Sequence, residues 1–498
     1  MDLIANLGLG LATALTWQNL LFCLAGCLIG TLVGVLPGIS PLTTIALLLP
    51  FTFGMAPASA LIMLAGIFYG AQYGGSTTSI LVNVPGETSS VITCLDGHQM
   101  ARQGRAGAAL AIAALASFFA GTVATVVIAL LALPLAAVAL KFTAVETVSL
   151  IVLGLIGAVV LAHGSTWKAI LMILIGVLLG LVGIDVNSGA PRMTFGIPQL
   201  ADGIGFVPIA IGLFGLAEMM HNLEKPQDRA LLEVRVSGLM PTRADLAAAF
   251  PAMLRGTAVG SVLGVLPGGG AALPSFSAYA VEKKLARDPS RFGKGAIEGV
   301  AGPEAANNAG AQSSFVPMLT LGIPSNPLMA LMIGALMIQG IQPGPQVMTK
   351  QPELFWGVIT SMWIGNLMLV IINLPLVGLW VSLLRVPYRM LFPAIIVFCC
   401  IGAYSASNSL FDVWLMLGFG LFGYFFIKIG VEPAPMVLGF VLGPMLEENF
   451  RRAMLIASGD ATVFLARPIS AGLLLAAVAL LAALLSPAIR RRRETLGE

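Results

Sequence analysis

The chain has 498 residues, 58% of them hydrophobic and 10% charged, with a mean hydropathy of +0.95; an ordinary soluble domain carries about 25% charged residues. No water-exposed surface can be assembled from that composition, so the sequence reads as an all-α integral membrane protein. A net charge of +3, with basic residues in loops rather than along an aromatic-bearing face, gives no reason to expect a nucleic-acid partner.

Apolar runs close to the roughly 20 residues that cross a bilayer lie at 20–36, 106–133, 144–162, 168–184, 203–222, 246–266, 355–384, 391–410, 412–429 and 469–489. Shorter stretches broken by Gly and Pro lie between them, so about ten to fourteen membrane elements are expected. The first basic residue is Arg102, which leaves the N-terminal apolar segment without the basic start of a cleavable signal. Cys23, Cys27, Cys94, Cys399 and Cys400 lack metal-ligand spacing and read as small buried hydrophobes.

In chain order, the first apolar helix ends in Gly34-Val35-Leu36-Pro37-Gly38, and a second break, STTSILVNVPGE, follows at 76–87. Asp96 to Arg105 reads as a polar interfacial turn. The hydrophilic segment 223–245 divides the chain into a first half, 1–222, and a second, 246–498. The second half repeats the first break as Gly264-Val265-Leu266-Pro267-Gly268, 230 positions on, and the second as QSSFVPMLTLGIPSN at 312–326, 239 positions on. The halves are therefore expected to be structural repeats with broken helices or re-entrant hairpins. Basic residues follow the hairpin-like segment in the first copy (Arg102, Arg105) and precede it in the second (Lys283, Lys284, Arg287, Arg291, Lys294), a swap that points to inversion. Basic loops mark the cytoplasmic side, which the cluster Lys225, Arg229, Arg235 and Arg243 and the tail Arg490 to Arg493 would share.

Broken helix inside a bilayer is tolerated only where protein or a wet cavity satisfies the freed backbone groups. The breaks at Pro37, Gly38, Pro85, Pro267, Gly268, Gly269, Gly270 and Pro324 therefore mark a cavity. The expected lining is Ser76, Thr77, Thr78, Asn83 and Gly86 from the first copy, with Asn307, Asn308, Gln312, Ser313, Ser314, Ser325 and Asn326 from the second. Hydroxyls and amides of this kind complete carboxylate binding at half-helix ends; they also serve plain helix packing. Glu304 and Glu87 are candidates for taking a proton or holding Na⁺, since a membrane-embedded carboxylate is costly unless used. Their structural alternatives are a helix cap after Pro303 and a wet loop.

Walker A, HExxH and GxSxG patterns are absent, and His98, His163 and His221 are far apart in sequence. No enzyme is expected, and a channel or intramembrane hydrolase at Ser76 is the distant alternative. GVLPGISPLTTIALLLP, YGAQYGGSTTSILVNVPGETSSVITCLDGHQMARQGRAG, GVLPGGGAALPSFSAYAVEKK and the 299–345 stretch beginning GVAGPEAANNAGAQSSF together resemble the large membrane subunit of the tripartite tricarboxylate transporters, the TctA family. One departure stands after Leu95-Asp96-Gly97, where His98 and Gln99 replace an expected aromatic and Pro. The resemblance implies a carboxylate importer of the bacterial inner membrane, multi-pass, with a cytoplasmic C-terminus. It also implies a small four-helix membrane subunit, a periplasmic carboxylate-binding protein, a Na⁺ or H⁺ gradient and no other cofactor. Citrate is the family's best-known substrate. A stand-alone carboxylate carrier is the nearer alternative.

Overall fold

The structure, a computed structural model, describes residues 3–36, 39–139, 141–161, 165–185, 188–224, 239–266, 270–383 and 388–485. Helices form almost all of it; two-residue strands at Gly183–Ile184 and Pro191–Arg192 pair antiparallel. Among the described residues, six helices are long and apolar enough to cross a membrane: Trp17–Val35, Ala106–Leu135, Phe206–Glu224, Arg243–Leu263, Pro352–Asn373 and Leu410–Lys428. Seven shorter apolar helices accompany them. The chain is an all-helical multi-pass membrane protein.

Two departures from the sequence reading concern continuity. The run expected at 355–384 is not one helix: it stops at Asn373 and resumes as Val377–Leu383. The 203–222 run contains a π-helical segment, Ile211–Leu216. In the other direction, Pro57–Val82 is an unbroken helix of 26 residues, although its Gly and Ser content kept it out of the apolar runs.

Helices close on one another through small residues, as expected where lipid gives no hydrophobic drive to helix association. A Cβ at Gly26, Gly30 or Gly34 would overlap the carbonyl oxygen of Met63, Ile67 or Ala71 respectively, so helices Trp17–Val35 and Pro57–Val82 touch backbone to backbone. Helices Arg243–Leu263 and Glu298–Ser313 do the same, with Gly256, Gly260 and Gly264 on the carbonyls of Gly302, Ala306 and Gly310. A third such pair joins Thr166–Gly180 to Ala434–Ile456, with Gly176 on the Met436 carbonyl and Gly439 on that of Ile173.

Both long central helices then stop abruptly. Pro57–Val82 ends at Asn83 in the left-handed conformation (φ 57°), and Phe315–Leu321, which continues Glu298–Ser313, ends at Gly322 (φ 72°). After each stop the chain runs through a short extended segment to a new helical N-terminus. Glu87 caps the first (φ −152°, ψ 168°) and Asn326 the second (φ −158°, ψ 170°). Pro85 and Pro324 lie in these breaks, and Gly270 sits at φ +49° just before helix Ala272–Leu285. Pro37, Gly38, Pro267, Gly268 and Gly269 lie outside the described residues, as do 225–238 of the linker and the basic tail.

Candidate functional site

Pro57–Val82 and Glu298–Ser313 meet where their polar residues coincide. Glu304 is fully buried (0% exposed) and lies inside helix Glu298–Ser313, not at a helix N-terminus after Pro303 as the sequence also allowed. Its carboxylate accepts from three hydroxyls: Ser76 at 2.7 Å, Ser117 at 3.5 Å, and Thr93. Asn308 donates to Ser117 at 2.7 Å and so stands behind the same carboxylate.

Glu87 lies one step away. Its side chain passes over Gly75, where a Cβ would stand 3.0 Å from Glu87 Cγ, next to the Ser76 that serves Glu304. Glu87 is half-buried and takes part in a capping box with Ser90. Ser89 donates to its Oε1 and reaches Gln72 Oε1 at 2.9 Å, while Asn307 Nδ2 stands 3.5 Å away. Several buried polar atoms around this point have no hydrogen-bond partner: Asn307 Oδ1, Gln72 Nε2 and Gln312 Nε2. Unsatisfied groups at this depth are costly unless a ligand or water completes them.

The remaining candidates divide. Thr77 and Thr78 bond back to the carbonyls of Tyr73 (3.3 Å) and Gly75 (2.8 Å). Ser313 bonds to the Gly260 carbonyl at 3.2 Å, which ties it to the neighbouring helix, and Ser314 bonds to Ala311 at 2.6 Å. Those hydroxyls are engaged in packing. Gln312 meets Thr125 at 2.8 Å. Asn83 is exposed at the helix stop, and Gly86 lies against Gly75 Cα and the Gly34 carbonyl, where no side chain fits. Ser325 bonds to the Ser314 carbonyl at 3.2 Å. Asn326 caps Pro327–Ile338 through a 3.0 Å bond from Met329 N–H, leaving its Nδ2 without a partner.

Two hollows lie near these residues, the first beside the middle of helix Pro57–Val82 and the second at the Pro324–Asn326 break. One is lined by Tyr73, Ser76, Thr77, Ser117 and Asn373 together with apolar side chains. The other is lined by Pro324, Ser325, Asn326, Pro327 and Glu432 with their neighbours.

Sequence reasoning did not single out two further carboxylates, buried Asp96 and half-buried Glu218. Asp96, assigned to an interfacial turn, is instead fully buried in helix Val91–Arg102 (0% exposed). It accepts from the backbone N–H of Gly293, Gly295 and Ala296 at 2.7–2.9 Å and from Tyr279 Oη at 2.9 Å. Glu218 accepts from Ser40 at 2.8 Å and Thr43 at 2.5 Å. No cluster of metal-ligating His, Cys, Asp and Glu side chains occurs among the described residues.

A multi-pass helical membrane protein whose centre holds hydroxyl-bound carboxylates beside two interrupted helices is the class that fold and site define. The chain belongs to the tripartite tricarboxylate transporter TctA family, which matches residues 20–438. It is 58% identical over 494 residues, 99% of this chain and 98% of the relative, to an uncharacterised 52.8 kDa protein of the TAR-I ttuC′ 3′ region of Agrobacterium vitis. It is 63% identical over 236 residues, 47% of this chain and 97% of the relative, to an uncharacterised protein of the TAR-II ttuC′ 3′ region of the same organism. No solved structure matches. Family membership makes the chain a component of a multi-subunit transport system.

Proposed function

We propose that the chain is the large membrane subunit of a cation-coupled, binding-protein-dependent importer of tricarboxylates or related small organic carboxylates. It would lie in the bacterial inner membrane with its C-terminus in the cytoplasm. Its partners would be a small four-helix membrane subunit and a periplasmic carboxylate-binding protein. The carrying observation is the pair of interrupted helices with unpartnered amides at their breaks, next to buried carboxylates that hydroxyls rather than Lys or Arg accompany. Amide donors and the positive ends of new helices suit an anionic substrate. Glu304 and Glu87 suit a coupling Na⁺ or H⁺.

In this reading the two halves are copies of one hairpin. The glycine ladder Gly26, Gly30, Gly34 corresponds to Gly256, Gly260, Gly264 at the 230-residue offset of the GVLPG motif. The carbonyls they approach, Met63, Ile67 and Ala71 against Gly302, Ala306 and Gly310, keep the 239-residue offset of the second break. Asn83 and Gly322, and then Glu87 and Asn326, hold that same offset and matching backbone angles. The basic loops favour an inverted relation between the copies.

Asn307→Ala and Asn326→Ala each abolish uptake while membrane insertion persists, measured with a radiolabelled carboxylate panel in cells that express the whole system. Normal transport in both variants would move the site elsewhere. A soluble binding protein encoded beside the gene separates this reading from a stand-alone carrier.

A further inference from the structure

We propose that the hollow beside helix Pro57–Val82 is a water-filled gap that connects the hydroxyls around Glu304 with the end of the bundle where the basic loops gather, and that Leu239 is its lid. Only the name of that end, cytoplasmic, rests on the importer reading above.

The hollow lies where helix Pro352–Asn373 is interrupted. Pro375 has no N–H with which to continue that helix, and the chain resumes as Val377–Leu383. Asn373 lines the hollow at this interruption. One wall is a single face of helix Ala106–Leu135, from Leu110 through Ala114 to Ser117, a row of roughly 10 Å; the facing wall is Tyr73, Ser76 and Thr77. At its deep end stand Ser117 and Ser76, both of which donate to Glu304. At the other end the basic loops meet: Gln103 Nε2 donates to the Lys294 carbonyl at 2.8 Å, and Arg105 pairs with Asp245 at 2.5 Å. Gathered basic loops mark the cytoplasmic face.

Water is what these walls lack. Tyr73 Oη and Asn373 Oδ1 have no partner, although the two residues are only 4% and 7% exposed. Turning the Asn373 carboxamide does not cure this, because its Nδ2 already donates to the Leu369 carbonyl at 2.9 Å and the turned amide would set two oxygens against each other. A phenol that donates and a carbonyl oxygen that accepts are partners for a buried water, and the hollow has room for about one or two. Among the described residues no basic side chain lines it, so nothing there holds an anion. Leu239 is the one lining residue from the connection between the halves, half-buried against the apolar core beside it. Its place is fixed by the helix that begins just after it, where Thr242 and Asp245 form a capping box and Arg105 holds Asp245.

One test needs no variant. An X-ray pulse makes hydroxyl radicals from water, these modify the side chains that touch it, and mass spectrometry locates the products. In the full-length chain in detergent, Tyr73 is expected to be modified. Tyr69, one turn away, 2% exposed and also without a hydroxyl partner, does not line the hollow and should stay unmodified. Equal reactivity of the two tyrosines, high or low, overturns the proposal. A second test reads the lid and the side. Ala114→Cys in membrane vesicles, scored as label beyond that of the native cysteines, should react with a small impermeant methanethiosulfonate about tenfold or more faster once Leu239→Ala is added, and only where the cytoplasmic face is exposed. A rate that neither Leu239→Ala nor Leu239→Trp changes, or labelling from the opposite face, contradicts it. Uptake assays separate the two ideas. A wet, lidded gap in a system that moves no carboxylate supports this inference and sinks the importer reading; carboxylate uptake through a chain whose Tyr73 is as protected as Tyr69 does the reverse.

Discussion

Glu304 shows how a single residue's meaning depends on neighbours remote in sequence. The three hydroxyls on it come from positions 76, 93 and 117, and removing one leaves a buried charge short of a donor, at a cost of about 1–3 kcal/mol. Thr93→Val should therefore lower the melting temperature of the purified chain in detergent by several degrees, while Thr462→Val, at an exposed turn, should leave it unchanged. Equal melting of the two would show that Thr93 does not support the carboxylate. The sequence made Glu304 and Ser76 visible, since an acid and a Gly-Gly-Ser in apolar surroundings stand out. It could not distinguish the hydroxyls that face the carboxylate from Thr77, Thr78 and Ser314, which bond to their own helix. Facing direction depends on the rotation of each helix, and that is set by packing.

At the scale of elements, the determining feature is the spacing of glycines four apart, which aligns them on one helix face. The letter-for-letter repeat GVLPG exposed only the last of each ladder. Gly26 and Gly30 have counterparts in Gly256 and Gly260 that no motif marks, because the residues between them differ. Their function is legible only once the opposing carbonyls are in place. Gly30→Ala and Gly260→Ala should each force a helix pair apart and strongly reduce folded yield on size-exclusion chromatography, whereas Gly472→Ala, with open space at the position, should behave as the native chain. Native behaviour of both ladder variants would mean the contacts are looser than backbone against backbone. The helix Pro57–Val82 was hidden for a related reason: the small and polar residues that permit close packing also depress its hydropathy.

Across the whole molecule, Asp96 ties together segments about 200 positions apart. Three backbone N–H groups of the 293–296 turn and the Tyr279 hydroxyl converge on its carboxylate, and Arg105 adds an ion pair with Asp245 at 2.5 Å. Asp96→Asn removes the charge from four donors and should speed hydrogen exchange at residues 293–296; unchanged exchange would show that the turn holds itself. The partners lie about 200 positions from Asp96 along the chain, so a reading limited to local pattern placed this residue in a polar interfacial turn. The membrane class and the breaks at Pro85 and Pro324 were within reach of sequence because they depend on composition and Pro-Gly punctuation, both local properties. On the function we propose, this architecture moves a carboxylate only when a binding protein delivers it and a cation gradient drives it. Uptake of radiolabelled carboxylates into liposomes containing the membrane subunits, with and without the binding protein and with and without Na⁺ and H⁺ gradients, tests it most directly. Accumulation that requires both is the predicted result; accumulation by this chain alone, or uptake that persists with both gradients collapsed, would contradict it.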